Sequence, residues 1–96
     1  MKSYIVIVHK DPKSAYGMTF PDAPGCFSAS DELDGLFDNA HESLELWTEG
    51  MLQEGYPMPE PRDLEALQAD PEWAESFATA VLLIAVEAPA VLRKAA

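Results

Sequence analysis

The chain has 96 residues, 48% of them hydrophobic and 9% aromatic, which is enough apolar material for the core of one small domain. Its 17 acidic and 6 basic residues give a net charge of −11. Because a phosphate backbone is bound by clustered Lys and Arg, this balance argues against direct nucleic-acid binding and favours either a basic partner or simply a well-solvated surface.

The cysteine count and the length of the apolar runs indicate the compartment in which the protein is expected. Cys26 is the single cysteine, which excludes an internal disulfide and a cysteine-based metal site. The longest apolar run, residues 80–86, is well short of the roughly 18 residues that a membrane span requires. We therefore expect a cytoplasmic protein with no cofactor, no metal and no membrane contact.

Three strands are predicted in the first 30 residues. Residues 4–8 are β-branched and aromatic, and a polar turn joins them to a second strand at residues 16–20. The first strand is apolar without alternation, which predicts either that both of its faces are covered within the chain or that a helix covers one face and a partner chain the other. Two prolines and a glycine within residues 21–25 end the second strand, and a third follows at residues 26–30.

A long amphipathic helix is the best-supported element. It begins near acidic and hydroxyl side chains at residues 30–34, which suit a helix start, and it ends before Gly55. The opposite face carries Asp38, His41, Glu42, Glu45 and Glu49 and is strongly anionic. Apolar residues at steps of three and four form the predicted buried stripe: Leu33, Leu36, Phe37, Ala40, Leu44, Trp47 and Met51.

The C-terminal half predicts short elements and one last strand. Residues 57–61 (PMPEP) are too rich in proline for helix or sheet and predict an extended connector. Asp63 is expected to cap a short helix over residues 64–67, and Asp70 with Pro71 to start another. Residues 77–86 predict a last strand in the centre of the sheet, ended by Pro89.

These elements, in this order, carry a recognisable set of motifs. Residues 20–26 (FPDAPGC), 39–46 (NAHESLEL) and 56–61 (YPMPEP) resemble three motifs of the HicB family of antitoxins, and the resemblance covers about residues 3–88. It implies an α+β domain with a partial RNase H-like fold, in which a small, mainly antiparallel sheet of three or four strands packs against one long helix.

The resemblance also implies a function. Antitoxins of this family bind HicA, a small basic toxin that cleaves mRNA, cover its active site, and assemble as dimers or larger oligomers. Many carry a C-terminal DNA-binding domain. We therefore expect a HicB-like domain at residues 1–88, a tail at residues 89–96 in place of the DNA-binding domain, and no direct binding of nucleic acid by this chain.

Two sets of residues follow from this interpretation. A structural loop, in which Cys26 is a small buried hydrophobe and not a reactive thiol, consists of Phe20, Pro21, Asp22, Pro24, Gly25 and Cys26. The residues expected to contact the toxin are Asp22, Glu42, Glu45, Glu49 and Trp73. The apolar edge of the sheet is the expected surface for self-association.

Other functions remain open on the residues alone. His9 and Asp11 form a possible general-base pair, and His41 is the other histidine. A two-metal nuclease site would draw on Asp11, Asp22, Glu42 and Asp70. We expect neither site, and no catalytic residue. A non-catalytic oligomeric scaffold without a toxin partner is the alternative, with Trp73 and Tyr56 at its interface and Trp47 in the core.

Overall fold

A computed structural model describes residues 2–57 and 59–89. Its antiparallel sheet of four strands, in the order β3-β2-β1-β4, lies between one long helix and two short ones. The strands are β1 (Ser3–Lys10), β2 (Tyr16–Thr19), β3 (Phe27–Ser30) and β4 (Leu82–Glu87), and the helices are α1 (Leu36–Glu54), α2 (Leu64–Ala69) and α3 (Ala74–Thr79). The predicted α+β class, with its antiparallel sheet and long helix, is confirmed.

Strand β1 is the centre of the sheet and is covered on both faces, as its apolar sequence predicts. Tyr4, Val6 and Val8 are fully buried in the core on the α1 side. Ile7 points to the opposite face and is also fully buried, and His9, on that same face, contacts α3. Strands β2 and β3 are each one residue shorter than predicted.

The buried stripe of α1 differs from the prediction at both ends. Leu36, Ala40, Leu44 and Thr48 are the buried residues of the helix. A 3-10 turn over Leu33–Gly35 precedes α1, so Leu33 does not follow the periodicity of the helix and is 55% exposed. Phe37, 100° around the helix from Leu36, is 52% exposed, while Trp47 and Met51 are half-buried.

The two ends of α1 are built differently. Gly55 has the left-handed conformation (φ 73°) that a helix C-terminus favours, and its N–H donates to the Leu52 carbonyl oxygen, so the predicted end is confirmed. The predicted capping of its start is wrong. Gly35 is the N-terminal cap of α1, and the Ser30 hydroxyl instead bonds the main chain of Glu32.

The helix starts predicted in the C-terminal half are confirmed, but the last strand is not where the sequence places it. Asp63 accepts a hydrogen bond from the Ala66 N–H, and Asp70 accepts one from the Glu72 N–H. Residues 77–79 belong to α3, since the helix that follows the Pro71 turn runs on to Thr79. Strand β4 pairs with β1 at the edge of the sheet and not in its centre.

The connector and the C-terminus complete the described chain. The described residues of 57–61 have no regular secondary structure, and the Tyr4 hydroxyl donates to the Pro59 carbonyl oxygen. Pro89 follows β4 and is buried; the remainder of the predicted tail, residues 90–96, lies outside the described residues. In the part of the chain that the structure describes, no helix has the length and apolar character to cross a membrane.

The buried hydroxyl of Thr48 provides a test of the core. Thr48 is fully buried, and its Oγ1 has no hydrogen-bond partner among the described residues. We expect Thr48→Val to raise the free energy of unfolding by about 1 kcal/mol, because a buried unpaired hydroxyl costs energy that a methyl group does not. Urea unfolding measures the change.

The matched control is Thr79→Val. The Thr79 hydroxyl lies 3.1 Å from the Glu75 carbonyl oxygen and 3.1 Å from His9 Nε2, so its removal should give no gain in stability. A Thr48→Val protein that is less stable than the parent would show that the hydroxyl is satisfied in solution.

Candidate functional site

The outward face of α1 carries the predicted acidic residues. Asp38, Glu42, Glu45 and Glu49 follow one another at steps of four, three and four, and all are exposed. They lie opposite the buried row that begins at Leu36, and α1 contains no Lys or Arg. These four residues form a continuous anionic stripe, which we call the acidic face of α1.

An exposed leucine lies at the edge of this acidic face. Leu46 is 62% exposed, follows Glu42 by four residues and precedes Glu49 by three, so both carboxylates are its neighbours on the helix surface. An exposed apolar side chain flanked by charged ones is typical of a protein interface. Leu46 was not predicted as a site residue, because it lies out of phase with the apolar residues that face the core; that difference in phase is the signal in the sequence that indicates it.

Asp22 lies in the loop between β2 and β3 and is held by an arginine distant in sequence. It is 8% exposed, and its Oδ2 accepts from the Arg62 N–H at 2.7 Å. Its Oδ1 accepts from Arg62 Nε at 2.9 Å and lies 2.9 Å from a terminal guanidinium nitrogen. Both carboxylate oxygens are therefore engaged within the domain, which gives Asp22 a structural role whatever else it contacts.

Arg62 extends this interaction to the start of the next helical segment. Another guanidinium nitrogen donates to Asp70 Oδ2 at 3.0 Å, while Asp70 Oδ1 accepts from the Glu72 N–H. The Glu72 N–H and the Arg62 guanidinium both lower the pKa of Asp70. Arg62 thus joins two carboxylates from different parts of the chain, a role that no local pattern around it indicates.

The residues proposed for a metal site or a general-base pair do not lie together in the structure. Asp22 and Asp70 meet at Arg62, whereas Asp11 lies in the β1–β2 turn and Glu42 on the acidic face. Among the described residues, no group of three or more His, Cys, Asp and Glu side chains is placed to hold a metal ion. His9 Nε2 is engaged by α3, 3.0 Å from the Ser76 carbonyl oxygen, and not by Asp11.

The rest of the predicted structural loop packs as a turn against α1. Phe20, Pro21 and Cys26 are buried, and Gly25 has a φ of 85°, which favours glycine. The Trp47 indole N–H donates to the Pro24 carbonyl oxygen, so this half-buried tryptophan fixes the loop to the helix. Burial raises the pKa of the Cys26 thiol to about 11, which fits the predicted inert, buried residue.

Trp73 lies in the turn before α3 and not on α1. It is half-buried and lines an open groove of about 370 Å³ together with Phe27, Arg62 and Glu72. Residues of the β2–β3 loop line the rest of this groove, whereas Glu42, Glu45 and Glu49 lie on α1. The structure therefore does not bring all the predicted partner-binding residues together. Tyr56 is exposed beyond the end of α1.

A family model supports the resemblance of the sequence motifs. The model that describes HicB-like antitoxins of bacterial toxin–antitoxin systems matches residues 4–96. An uncharacterized 14.9 kDa protein in the rep-hol intergenic region of Haemophilus phage HP1 is 36% identical over 66 residues. That alignment covers 69% of this chain and 50% of the phage protein, so this chain matches about half the length of its curated relative.

Solved structures show the same fold. A chain of the HicA3 and HicB3 toxin-antitoxin complex is 28% identical, with a TM-score of 0.71 over 91% of this chain and 98% of that one. The antitoxin HicB of Burkholderia pseudomallei is 30% identical, with a TM-score of 0.75 over 94% of this chain and 65% of that one. The four-stranded sheet and long helix are thus shared with these proteins.

The contacts of Arg62 predict its contribution to stability. Arg62→Met removes the guanidinium and leaves the Asp22 carboxylate buried without its cation, so we expect a lower urea midpoint. Lys2→Met is the matched control: it removes the exposed Lys2–Glu60 pair and should change the midpoint little. Equal midpoints for the two variants would contradict the proposed importance of Arg62.

The same interaction predicts a dependence on pH. The folded pKa of Asp70 is below its unfolded value, so its contribution is complete above about pH 4, the pKa of an unfolded aspartate, and is lost as the pH falls through the folded pKa. The difference in stability between the parent and Arg62→Met should therefore narrow in acid. Urea titrations at a series of pH values measure this.

The buried thiol predicts slow chemical modification. With its pKa raised to about 11, Cys26 is almost entirely protonated at neutral pH and is shielded from solvent. We expect a disulfide reagent such as DTNB to label the native protein slowly and the urea-unfolded protein rapidly. Equal labelling rates in the two states would show that Cys26 is accessible in the native protein.

Proposed function

Because the chain belongs to the HicB-like antitoxin family of bacterial toxin–antitoxin systems, we propose that it binds and neutralises a small basic toxin similar to HicA. In this proposal the toxin cleaves mRNA, and the antitoxin covers its active site without performing chemistry itself. Support comes from the likeness of this chain to a chain of the HicA3 and HicB3 complex. The observation in this molecule that best supports the proposal is the acidic face of α1 with the exposed Leu46 at its edge.

Charge gives the acidic face its selectivity. Glu42, Glu45 and Glu49 are exposed along one helix face with no basic side chain in the same helix. A basic toxin would associate with this face at a higher rate than an uncharged protein and in a preferred orientation. This increase in the association rate would become smaller as salt is added. The same carboxylates would occupy the surface that otherwise attracts the phosphates of RNA.

Leu46 supplies an apolar contact, which affects the dissociation of the complex more than its association. Charges at the rim of an interface mostly change the rate of association, whereas a buried apolar anchor slows dissociation. In the proposed complex the toxin covers Leu46, and Glu42 and Glu49 lie beside it. The arrangement combines rapid association with a long-lived complex, as neutralisation of a toxin requires.

Trp73 and Asp22 contribute in different ways. Trp73 and Glu72 line the groove beside the β2–β3 loop and do not belong to α1, so Trp73 would serve as a second contact only for a toxin that spans both surfaces. The carboxylate of Asp22 is engaged by Arg62, so its contribution is to fix the loop near α1. We therefore place the main contact on the acidic face of α1.

Binding to the toxin tests this proposal. We would co-express the chain with a small basic protein similar to HicA, taken from an adjacent reading frame where one encodes it, purify the complex, and measure its affinity at low and high salt. We expect Leu46→Ala to weaken binding about tenfold or more, mainly through faster dissociation. Replacing Glu42, Glu45 and Glu49 with Gln should slow association and reduce its dependence on salt.

A matched triple variant separates local contacts from total charge. Replacing Glu60, Glu65 and Glu75 with Gln changes the net charge from −11 to −8, as the α1 variant does, at exposed positions outside α1. Equal effects of the two triple variants would argue against the acidic face as the contact. If the parent chain does not bind while the basic protein still arrests growth, the toxin partner is wrong and the scaffold alternative is favoured.

A further inference from the structure

A groove lined by aromatic residues lies outside α1, where the β2–β3 loop meets the turn before α3. Its volume of about 370 Å³ is in the range of ligand-binding pockets. Three aromatic residues line it: Phe20 is buried, Trp73 is half-buried, and Phe27 is 67% exposed. Pro21 and Pro24 line it as well. The groove therefore presents apolar and aromatic surface that a ligand can cover.

Two polar groups of this groove are not used by the chain itself. In the part of the chain that the structure describes, the Trp73 indole N–H donates to no acceptor, whereas the Trp47 indole N–H donates to the Pro24 carbonyl oxygen. Glu72 is exposed, and among the described residues its carboxylate forms no ion pair. An indole N–H beside aromatic surface is available to a carbonyl oxygen of a ligand, and a free carboxylate is available to a cation.

Negative charge exceeds positive charge in and beside the groove. The Arg62 guanidinium, which lines the groove, is bound by the carboxylates of Asp22 and Asp70. Together with Glu72, these groups are three carboxylates and one guanidinium, which leaves a net charge of −2. A ligand that carries a cation is therefore favoured over an anionic one.

We infer that this groove binds a basic, proline-rich segment of a partner protein in the polyproline II conformation. Such a segment has no internal hydrogen bonds, so its carbonyl oxygens are free to accept from the Trp73 indole N–H. Its proline rings pack on aromatic surface such as that of Phe27, and its fixed φ angles reduce the entropy lost on binding. A basic side chain of the segment pairs with the Glu72 carboxylate.

Two other ligands of aromatic grooves are less compatible with these residues. A β-strand needs main-chain donors along its path, and Pro21 and Pro24 have none. Single-stranded nucleic acid can stack its bases on Trp73 and Phe27, but the excess of carboxylates repels its phosphates. Among the described residues that line the groove, none belongs to α1, so the inference is independent of the proposed toxin contact.

NMR titration of the full chain with a synthetic peptide tests the inference. The probe is the peptide PPPPPR with both ends capped, and the signals followed are those of the two indole N–H groups. We expect the Trp73 signal to shift and to saturate with a Kd of about 1 mM or below. The Trp47 signal should move little, because its N–H is already bonded to Pro24. The capped control peptide GSGSGR has the same length and charge but is flexible, so it should bind about fivefold more weakly or worse.

Two pairs of matched variants locate the site. Phe27→Ala should weaken peptide binding about fivefold, whereas Phe37→Ala, which changes a phenylalanine of α1 that is 52% exposed, should leave it unchanged. Both side chains are exposed, so the fold is retained in both variants. Glu72→Gln should weaken binding and reduce its dependence on salt. Glu75→Gln makes the same change of net charge, from −11 to −10, on α3 outside the groove and should have little effect.

Three results would overturn the inference. They are a Trp73 signal that does not move with up to about 10 mM PPPPPR, equal affinity for PPPPPR and GSGSGR, and equal effects of Phe27→Ala and Phe37→Ala. Equal affinity for the two peptides would mean that the groove recognises a cation alone. The toxin measurement is separate, since Phe27→Ala leaves α1 unchanged. Peptide binding without toxin binding would support this inference and refute the proposed function, and toxin binding without peptide binding would do the reverse.

Discussion

The constraint on which the rest of the structure depends is that β1 must be buried on both faces. Its residues 4–8 are apolar without interruption, so one helix layer is not enough to remove them from water. Helix α1 covers the face of Tyr4, Val6 and Val8, and the segment with α2 and α3 covers the face of Ile7. The chain must therefore cross from one side of the sheet to the other between the end of α1 and the start of α2.

Arg62 fixes the chain where the crossing is complete. Its guanidinium lies between Asp22 and Asp70, so it joins the β2–β3 loop to the start of the last helical segment. In a chain of 96 residues the core is small, and a few well-placed polar contacts have a large share in selecting one arrangement. The loop is also held from the α1 side by Trp47, which makes it a meeting point of both helix layers.

Because the apolar residues are buried in this way, the charged residues are distributed unevenly over the surface. The acidic residues of α1 lie on its outward face, and further ones follow β3, whereas residues 80–86, which include most of β4, carry no charge. An acidic surface bordered by one exposed apolar residue suits a basic protein, which is the contact proposed for α1.

Local sequence determined much of this structure. The amphipathic pattern of α1, its end at Gly55, the helix starts at Asp63 and Asp70, and the coverage of β1 on both faces follow from periodicity and from short-range hydrogen bonds. The motifs of residues 20–26, 39–46 and 56–61 indicated the family that the comparisons establish. Each of these features depends on neighbours within a few residues or on a pattern of burial that one element shows by itself.

Only the tertiary structure decided the remaining features. Residues 77–86 have strand-forming composition, but α3 extends into them as far as Thr79. The position of β4 at the edge of the sheet depends on how the strands pair, with β1 between β2 and β4. Asp22 and Arg62 are 40 residues apart, and no local pattern pairs them. The exposure of Leu46 and Phe37 likewise depends on where α1 meets the sheet. Local periodicity describes one element at a time, whereas these features arise from the packing of several.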